Sequence, residues 1–403
     1  MESNAYSTEP SKLWNKSYIF ILMISALNAF AFFMIATILS KYLVGIGTTI
    51  TLAGIIVGLF SITSLFSRPL CGLMADSLNN VKLLKWSNVF LAIGFLGFAF
   101  TKNIPLLIIF RILNGIGFAI GGTAQVALAT KYIPQNKMGE GIGYMGLGMV
   151  LSSAVAPGVG LMIADGFGMG TTFIASSILT VVAFFFLSFF KEEQKETKRL
   201  DLKKITFSDI IAPKALPYTF VASTFSFING IIASYIVLFA DEKGIVGISS
   251  YFTLYAVVLL VIRPISGKIM DKKGIRVTVL PGLLLTAVSM FFLGRSSALT
   301  AILVTGIFRA IGQGAAQPSL QAGCINKVGR SKSGVATSTY YLGGDIGQGI
   351  GPMIGGVILA QIAGVAGYRM LFDLCGVLML IALVFFYMVT RKEKKTDEKT
   401  ATT

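Results

Sequence analysis

The chain has 403 residues, of which 54% are hydrophobic and only 13% are charged. Soluble domains carry about 25% charged residues, so this composition indicates a membrane protein and argues against two or three soluble domains. The formal net charge of +16 indicates membrane orientation rather than a nucleic-acid surface, because of where the basic residues lie. The sequence has no histidine, the commonest metal ligand and general base, and we expect no cofactor, no metal and no structural disulfide.

A helix that crosses a bilayer needs about 20 mostly apolar residues. The first apolar run, from Tyr18 to about Leu43, is longer than the core of a signal peptide, so we expect it to remain as a membrane helix. The sequence predicts an all-α membrane protein with twelve transmembrane helices. The predicted spans are 18–40, 50–67, 83–101, 104–128, 139–164, 167–190, 216–240, 248–266, 277–294, 298–322, 334–361 and 367–390.

The longest polar stretch, 191–215, mixes basic and acidic residues and separates two halves of similar length. We predict an N-terminal six-helix bundle over 18–190 and a C-terminal six-helix bundle over 216–390. The linker is expected to be cytoplasmic and partly an amphipathic surface helix. The ends, 1–17 and 391–403, are expected to be cytoplasmic, and the charged C-terminal tail is expected to be disordered.

Basic residues set the predicted orientation, since they are enriched in cytoplasmic loops. If both chain ends are cytoplasmic, most of the 34 lysines and arginines fall on the cytoplasmic side. The outer loops then hold only Lys41, Lys102, Lys243, Arg295 and Arg369. The sequence therefore predicts a multi-pass protein of the plasma membrane with its N- and C-termini in the cytoplasm.

One motif, Arg-Pro-x-x-Gly-x-x-x-Asp, occurs between spans two and three and again between spans eight and nine, 195 residues later. Halves that repeat in the same order are typical of transporters built from two parallel six-helix bundles. We expect the motif residues to act as a gate in the connecting loops. They are Arg68, Gly72 and Asp76 in the first copy, and Arg263, Gly267 and Asp271, followed by Arg276, in the second.

A proline within a run of small residues also recurs 195 residues apart, in spans five and eleven. Glycine allows close helix approach in lipid, and proline bends a helix by removing a hydrogen bond. Ordinary helix packing is the alternative interpretation for any single glycine. The predicted packing and bending residues are Pro157, Gly160, Gly351, Pro352, Gly355 and Gly356.

These motifs resemble those of the major facilitator superfamily, specifically its twelve-span, drug:proton antiporter-like branch, over almost the whole chain. The matching residues are Gly267, Asp271, Gly274 and Arg276 in the loop motif, Arg111, Gly115 and Gly117 in span four, and Gly143, Pro157 and Gly160 in the antiporter motif. The departures are Ser77, Asn79 and Asn80 in the first loop motif, and Ser152, Ala156 and Leu161 in span five. The resemblance implies that contacts of Asp76 and Asp271 latch the cytoplasmic side when the transporter faces outward.

Only three ionisable side chains are predicted deep within spans, namely Arg111, Arg309 and Asp345. A charge there costs a few kcal/mol, so each is a functional candidate. Asp345, with Tyr341 on the same helical face, is the candidate proton acceptor, and Arg111 is the second candidate for proton coupling. A static ion pair, or a capping interaction, is the alternative role for Asp345.

The resemblance implies that spans one, four, seven and ten line a central cavity. Hydrogen bonding between helices is the alternative for the two asparagines of spans one and seven. The candidate substrate-cavity residues are Asn28, Asn114, Gln125, Asn229, Arg309, Gln313, Gln317 and Tyr341.

Two arginines and one aspartate predict a cavity that is positive or neutral, and hence an anionic or zwitterionic substrate. The leading hypothesis is proton-coupled efflux of a small organic molecule by alternating access, with protons and the lipid bilayer as further partners. Uptake of a nutrient and a membrane sensor without transport are the alternatives. We expect a functional monomer that binds no nucleic acid. The sequence has no nucleophile elbow and no phosphate-binding loop, so we do not expect an enzyme.

Overall fold

A computed structural model describes residues 12–190, 206–362 and 364–401. In these residues twelve long helices form. The first six are α1 (Lys16–Gly45), α2 (Ile50–Ser77), α3 (Asn80–Phe100), α4 (Ile104–Tyr132), α5 (Met138–Phe167) and α6 (Met169–Phe186). The other six are α7 (Leu216–Glu242), α8 (Ser249–Lys273), α9 (Ile275–Leu293), α10 (Leu299–Val328), α11 (Ser333–Gln361) and α12 (Gly364–Ala401). A short helix, Phe207–Ile210, precedes α7.

Eleven of the helices in the described residues are long and apolar enough to cross a membrane. The exception is α11, which has the length of a span but is rich in glycine, serine and threonine. The all-helical prediction is therefore confirmed, and the predicted twelfth crossing rests on a helix of mixed polarity. Most of the predicted linker, 191–205, lies outside the described residues.

Two predicted span ends are wrong. Helix α2 continues to Ser77, about three turns beyond the expected end near 67, and helix α8 continues to Lys273, about two turns beyond the expected end near 266. Both repeated motifs are therefore helical. Pro69 lies inside α2 rather than in a loop, and Pro264, which the predicted span already included, lies inside α8. Nothing after either proline stops the helix, because the residues up to each motif aspartate include good helix formers such as leucine, methionine, alanine and lysine.

The predicted disordered tail is also wrong where it is described, because α12 runs to Ala401. Its last turns consist mainly of lysine and glutamate, which favour helix even without packing.

The turns between α2 and α3, and between α8 and α9, use different chemistry at the same repeat position. Asn79 adopts an ordinary φ of −71°, and its side chain accepts hydrogen bonds from the amides of Val81 and Lys82. Gly274, 195 residues later, adopts a φ of +84°, which favours glycine. The asparagine that departs from the family pattern thus serves as a helix N-cap.

The helices are antiparallel in sequence order, so the start of α1 lies beside the end of α4, where Asn15 donates to the carbonyl of Tyr132 at 2.7 Å. We call this the chain-end side; it also carries the start of α7 and the end of α12. Within the first half α5 packs on α1, and within the second half α11 packs on α7. The largest buried hydrophobic cluster draws only on the second half, from Ala212 to Phe386.

Candidate functional site

The two halves meet where α2 packs on α11 and where α5 packs on α8. We call these contacts the first interface and the second interface. The motif aspartates make the same contact at each. Asp76 accepts hydrogen bonds from the amides of Gly334 and Val335 at 2.6 and 2.8 Å. Asp271 accepts hydrogen bonds from two amides at the start of α5, at 2.7 and 2.8 Å. Each carboxylate therefore caps a helix of the other half, where the helix dipole favours negative charge.

Glycines allow this close approach. A side chain on Gly334 would place its Cβ 2.6 Å from the carbonyl oxygen of Gly72, and a Cβ on Gly139 would lie 2.8 Å from that of Gly267. Both distances are shorter than real Cβ atoms tolerate, so the four positions leave no room for a methyl group. The motif glycines are thus spacers that bring the aspartates to the opposite helix.

A buried ion pair crosses the first interface. Nε of Arg68 lies 2.7 Å from a carboxylate oxygen of Asp345, and Nη2 lies 3.4 Å from the other oxygen. The guanidinium also stacks 4.5 Å from the ring of Tyr341, whose hydroxyl accepts a hydrogen bond from Gln321. The side chain of Arg68 is 4% exposed and that of Asp345 is 24% exposed, so water reaches the pair from the aspartate.

The expectation of only three ionisable groups deep within spans is therefore wrong. Arg68 is buried inside α2, and Arg263 occupies the matching place inside α8 with its Nε buried and without a hydrogen-bond partner. Arg68 lies just beyond the predicted end of its span and Arg263 lies near the end of its span, and both arginines belong to the helical interfaces and not to loops. The basic residues thought to mark the cytoplasmic side thus include two that face the other half.

Arg309 lies in a polar cluster of the second half. It donates to Tyr251 at 3.1 Å and to the side-chain oxygen of Asn229, and its guanidinium lies 4.5 Å from the ring centre of Tyr255. Gln313, one turn along α10, in turn donates to Gln317 at 3.0 Å. In the described residues no carboxylate pairs with Arg309. The structure thus brings together four predicted cavity residues, Asn229, Arg309, Gln313 and Gln317.

Arg111 lies apart from Asp345. It donates to the carbonyl of Val57 at 3.0 Å and lies 4.6 Å from the ring centre of Phe60, both on α2. Within the described part of the chain it has no carboxylate partner, and its Nε has no hydrogen-bond partner. The ion pair that involves Asp345 is therefore formed with Arg68 and not with Arg111.

The other polar candidates of the first half lie between helices. Asn114 is fully buried and donates to the carbonyl of Leu91 on α3. Gln125 donates to the carbonyl of Ile21 on α1. The side-chain oxygen of Asn28 is buried without a hydrogen-bond partner. In this conformation Asn114 and Gln125 serve helix packing.

The predicted packing residues lie at the contacts within each half. A Cβ on Gly160 would lie 2.5 Å from the carbonyl of Met34, and one on Gly351 would overlap the carbonyl of Phe227. Gly355 and Gly356 lie against Tyr235, which donates to the carbonyl of Pro352 at 2.6 Å. Pro157 lies inside α5. These residues therefore fix α5 on α1 and α11 on α7.

Further contacts close the chain-end side. Lys268 forms an ion pair with Glu140 at 3.4 Å, and Arg330 donates to the carbonyl of Ile133 at 2.8 Å. Thr130 and Ser333 share a hydrogen bond at 3.3 Å. All three contacts join the halves. Farther along α5 and α11, a Cβ added to Gly158 or to Gly349 would have no other atom within 4 Å. The halves are thus joined by polar contacts on the chain-end side.

The end of the linker docks on the same side. Hydrogen bonds from Thr206 and then from Lys332 lower the pKa of Asp209 to about 2. The distance from Nζ of Lys332 to Asp209 is 3.0 Å, and the short helix Phe207–Ile210 also contacts α2. The other motif arginine, Arg276, donates to the carbonyl of Thr390 on α12. It thus binds within the second half and not across an interface.

Several residues that shape the site were not predicted from the sequence. Tyr251 and Tyr255 lie against Arg309, and Gly146 lies against Arg263. The four-residue spacing of Tyr251 and Tyr255 in span eight places them on one helix face. This spacing alone is a weak signal of a site, because tyrosine is common in membrane helices. Only the repeat, which aligns Gly146 with Tyr341, could have drawn attention to that glycine.

Comparison with known proteins identifies the family. The model of the Major Facilitator Superfamily matches residues 21–352 and, in a second match, 248–402. The multi-drug resistance efflux pump PmrA of Streptococcus pneumoniae is 27% identical over 198 residues, which cover 47% of this chain and 46% of PmrA. This match therefore spans about half the length of that relative.

Two longer matches cover most of the chain. The multidrug resistance protein MdtG of a Rahnella species is 26% identical over 344 residues, covering 81% of this chain and 82% of MdtG. The crystal structure of the human organic anion transporter MFSD10 shares the fold with a TM-score of 0.79 at 14% identity, covering 92% of this chain and 98% of MFSD10. The chain belongs to the major facilitator superfamily and is a multi-pass membrane transporter, not an enzyme.

Proposed function

We propose that this transporter couples the export of a small organic anion or zwitterion to proton entry across the plasma membrane. It alternates access between two six-helix bundles, residues 18–190 and 216–390, acts as a monomer, and keeps its chain ends in the cytoplasm. The multidrug efflux relatives PmrA and MdtG support export. The ion pair between Arg68 and Asp345 carries the proposal, because it joins the two halves through a group that binds a proton.

Protonation of Asp345 acts on the closure of the chain-end side. The carboxylate is partly exposed while Arg68 is buried, so a proton can reach the aspartate without separating the halves first. Neutral Asp345 no longer attracts the guanidinium, and the first interface loses its only buried charge pair among the described residues. Breaking a buried pair costs about 3 kcal/mol when one charge remains. This change favours separation of the halves on the chain-end side.

With cytoplasmic chain ends, the structure corresponds to an outward-facing state. Protonation from outside then favours opening toward the cytoplasm, and release of the proton there makes the carboxylate available to Arg68 again. A ligand can shift such an equilibrium only through different affinities for the two states. The proton does so because the pair with Arg68 exists only when the chain-end side is closed.

The charges of the interior support an anionic or zwitterionic substrate. Arg111 and Arg309 are 4% and 2% exposed, and in the described residues neither has a carboxylate partner. Buried guanidinium groups bind carboxylates through strong, charge-assisted hydrogen bonds. An anionic group of the substrate supplies the charge that the protein itself does not.

Proton movement in proteoliposomes tests the proposal. A pH-sensitive dye is enclosed, and anionic, zwitterionic and cationic compounds are added to wild-type protein and to Asp345→Asn. We expect proton flux with anionic or zwitterionic compounds that disappears in the variant. Equal flux in both proteins would remove Asp345 from the mechanism. The direction of the imposed proton gradient that makes the compound accumulate distinguishes export from uptake. Transport of a cationic dye that persists in Asp345→Asn would contradict an anionic or zwitterionic substrate.

A further inference from the structure

The arginine of the second motif lacks the partners of its counterpart. The repeat relates Arg68 to Arg263, Tyr341 to Gly146, and Asp345 to Val150, each 195 residues apart. The same offset relates the two aspartate caps described above, so it also holds for the contacts in space. Arg68 meets a ring and a carboxylate, whereas the repeat places a glycine and a valine at the matching positions for Arg263.

The structure shows this difference directly. A side chain at Gly146 would overlap Nη1 of Arg263, so the guanidinium lies against the backbone of α5. Its Nε is buried and has no hydrogen-bond partner. In the described residues no carboxylate forms an ion pair with it, because Asp345 binds Arg68 and Glu140 binds Lys268. Arg263 is thus a cation at the boundary of the two halves, and its charge has no carboxylate partner among the residues that the structure describes.

Tyrosine side chains lie near this cation, and three of them, Tyr255, Tyr340 and Tyr341, are within electrostatic range of it. Tyr341 is also stacked on Arg68, and Tyr255 is stacked on Arg309. Each of these two tyrosines therefore lies near Arg263 and against a second arginine, and Asp345 is the one carboxylate paired with these three arginines among the described residues.

We propose that Arg263 is the anchor for the anionic group of the transported molecule. A substrate carboxylate pairs with Arg263 in the way that Asp345 pairs with Arg68. The inference rests on the proposed function and adds the position of the binding site. An arginine presents a planar fork of donors that matches a carboxylate, and the neighbouring tyrosine rings suit an aromatic or apolar body. Since Arg263 lies on α8 and Gly146 on α5, an anion bound there contacts both halves.

Equilibrium binding tests the anchor without any proton gradient. Purified protein in detergent is titrated with benzoate, and with the neutral isostere benzamide as a control ligand. We expect Arg263→Gln to weaken benzoate binding by about 10- to 100-fold and to leave the weaker binding of benzamide unchanged. Lys272→Gln, which removes an exposed charge from the same helix, is the matched control and is expected to bind benzoate like the wild type.

A second variant separates binding from a structural role. Val150→Asp supplies the missing carboxylate at the repeat position of Asp345, and we expect it to compete with benzoate, whereas Val150→Asn keeps the wild-type affinity. If Arg263 served packing alone, Val150→Asp would leave benzoate binding intact. Wild-type affinity in Arg263→Gln, or no saturable benzoate binding to the wild type, overturns the anchor. Proton flux that depends on Asp345 can survive either result, so the two proposals fail separately.

Discussion

At the first interface Arg68 has a stacked aromatic ring and a carboxylate, whereas at the second interface Arg263 has no carboxylate partner among the described residues and its buried Nε has no hydrogen-bond partner. The aspartate caps and the glycine contacts are nevertheless the same at both. The shared contacts close the chain-end side. The interfaces differ in whether the motif arginine is paired with a carboxylate, and this difference gives each interface its own role. We assign proton response to the first interface and anion binding to the second.

The largest expected effect comes from breaking the ion pair. Arg68→Met leaves Asp345 without its cation, and we expect a loss of about 3 kcal/mol in unfolding free energy. Arg263→Met leaves no carboxylate behind and is expected to cost much less. Thermal unfolding in detergent measures both. The double variant Arg68→Met/Asp345→Asn should recover most of the loss, and equal losses in the two single variants would contradict the difference between the interfaces.

A methyl group at the glycine contact is expected to act next. Gly267→Ala would overlap the carbonyl of Gly139, and overpacking of this kind costs about 1–3 kcal/mol. Gly158→Ala is the matched control, because no atom lies within 4 Å of its added carbon. We expect a lower melting temperature for the first variant only. A melting temperature of Gly267→Ala equal to that of the control would show that the helices are not held this close.

The aspartate caps are expected to contribute less, and equally. Asp76→Asn and Asp271→Asn each lose the negative charge at a helix start and one of the two oxygens that accept from backbone amides, which costs about 1 kcal/mol. The hydrogen bonds described for the two caps share no partners, so the double variant should show the sum of the single losses. Chemical denaturation of the three variants provides the values. A cap at one interface that proves far stronger than the other would remove the symmetry on which the comparison depends.

The smallest effect is expected at the exposed pair of Asp209 and Lys332. Because the pKa of Asp209 is lowered to about 2, this contact stabilises the protein above the ordinary carboxyl pKa and is lost only as the pH falls toward about 2. Lys332→Gln should therefore lower the melting temperature slightly and by the same amount at pH 7 and pH 5. A transport response between these pH values that disappears in Lys332→Gln would contradict the assignment of that response to Asp345.

The sequence predicted the helical segments and the repeat because both depend on local patterns. Apolar runs located the spans, and the 195-residue offset related Asp76 to Asp271 and Pro157 to Pro352. The ends of α2 and α8 were missed because the spans were placed on apolar runs, while the helices continue into the more polar residues of the repeated motif.

The partners of the site residues were less predictable. Asp345 was identified as the buried carboxylate, but its partner Arg68 lies 277 residues away in the sequence, on a helix whose length was underestimated. Asn114 and Gln125 were placed on a helix face by spacing alone, and spacing does not tell a cavity from the neighbouring helix that covers the face. Contacts between halves depend on packing across the whole chain, which no local pattern encodes.

The distance between the halves on the chain-end side tests the central claim most directly. Spin labels on Asn136→Cys and Lys272→Cys, in a protein whose three buried native cysteines are replaced by alanine, report opening at the second interface. In the protein that keeps Asp345, we expect a short distance between the two spin labels at neutral pH. In Asp345→Asn, which mimics the protonated group, we expect the distance between the labels to increase. An unchanged distance distribution in Asp345→Asn would contradict the claim that the Arg68–Asp345 pair holds the two halves together.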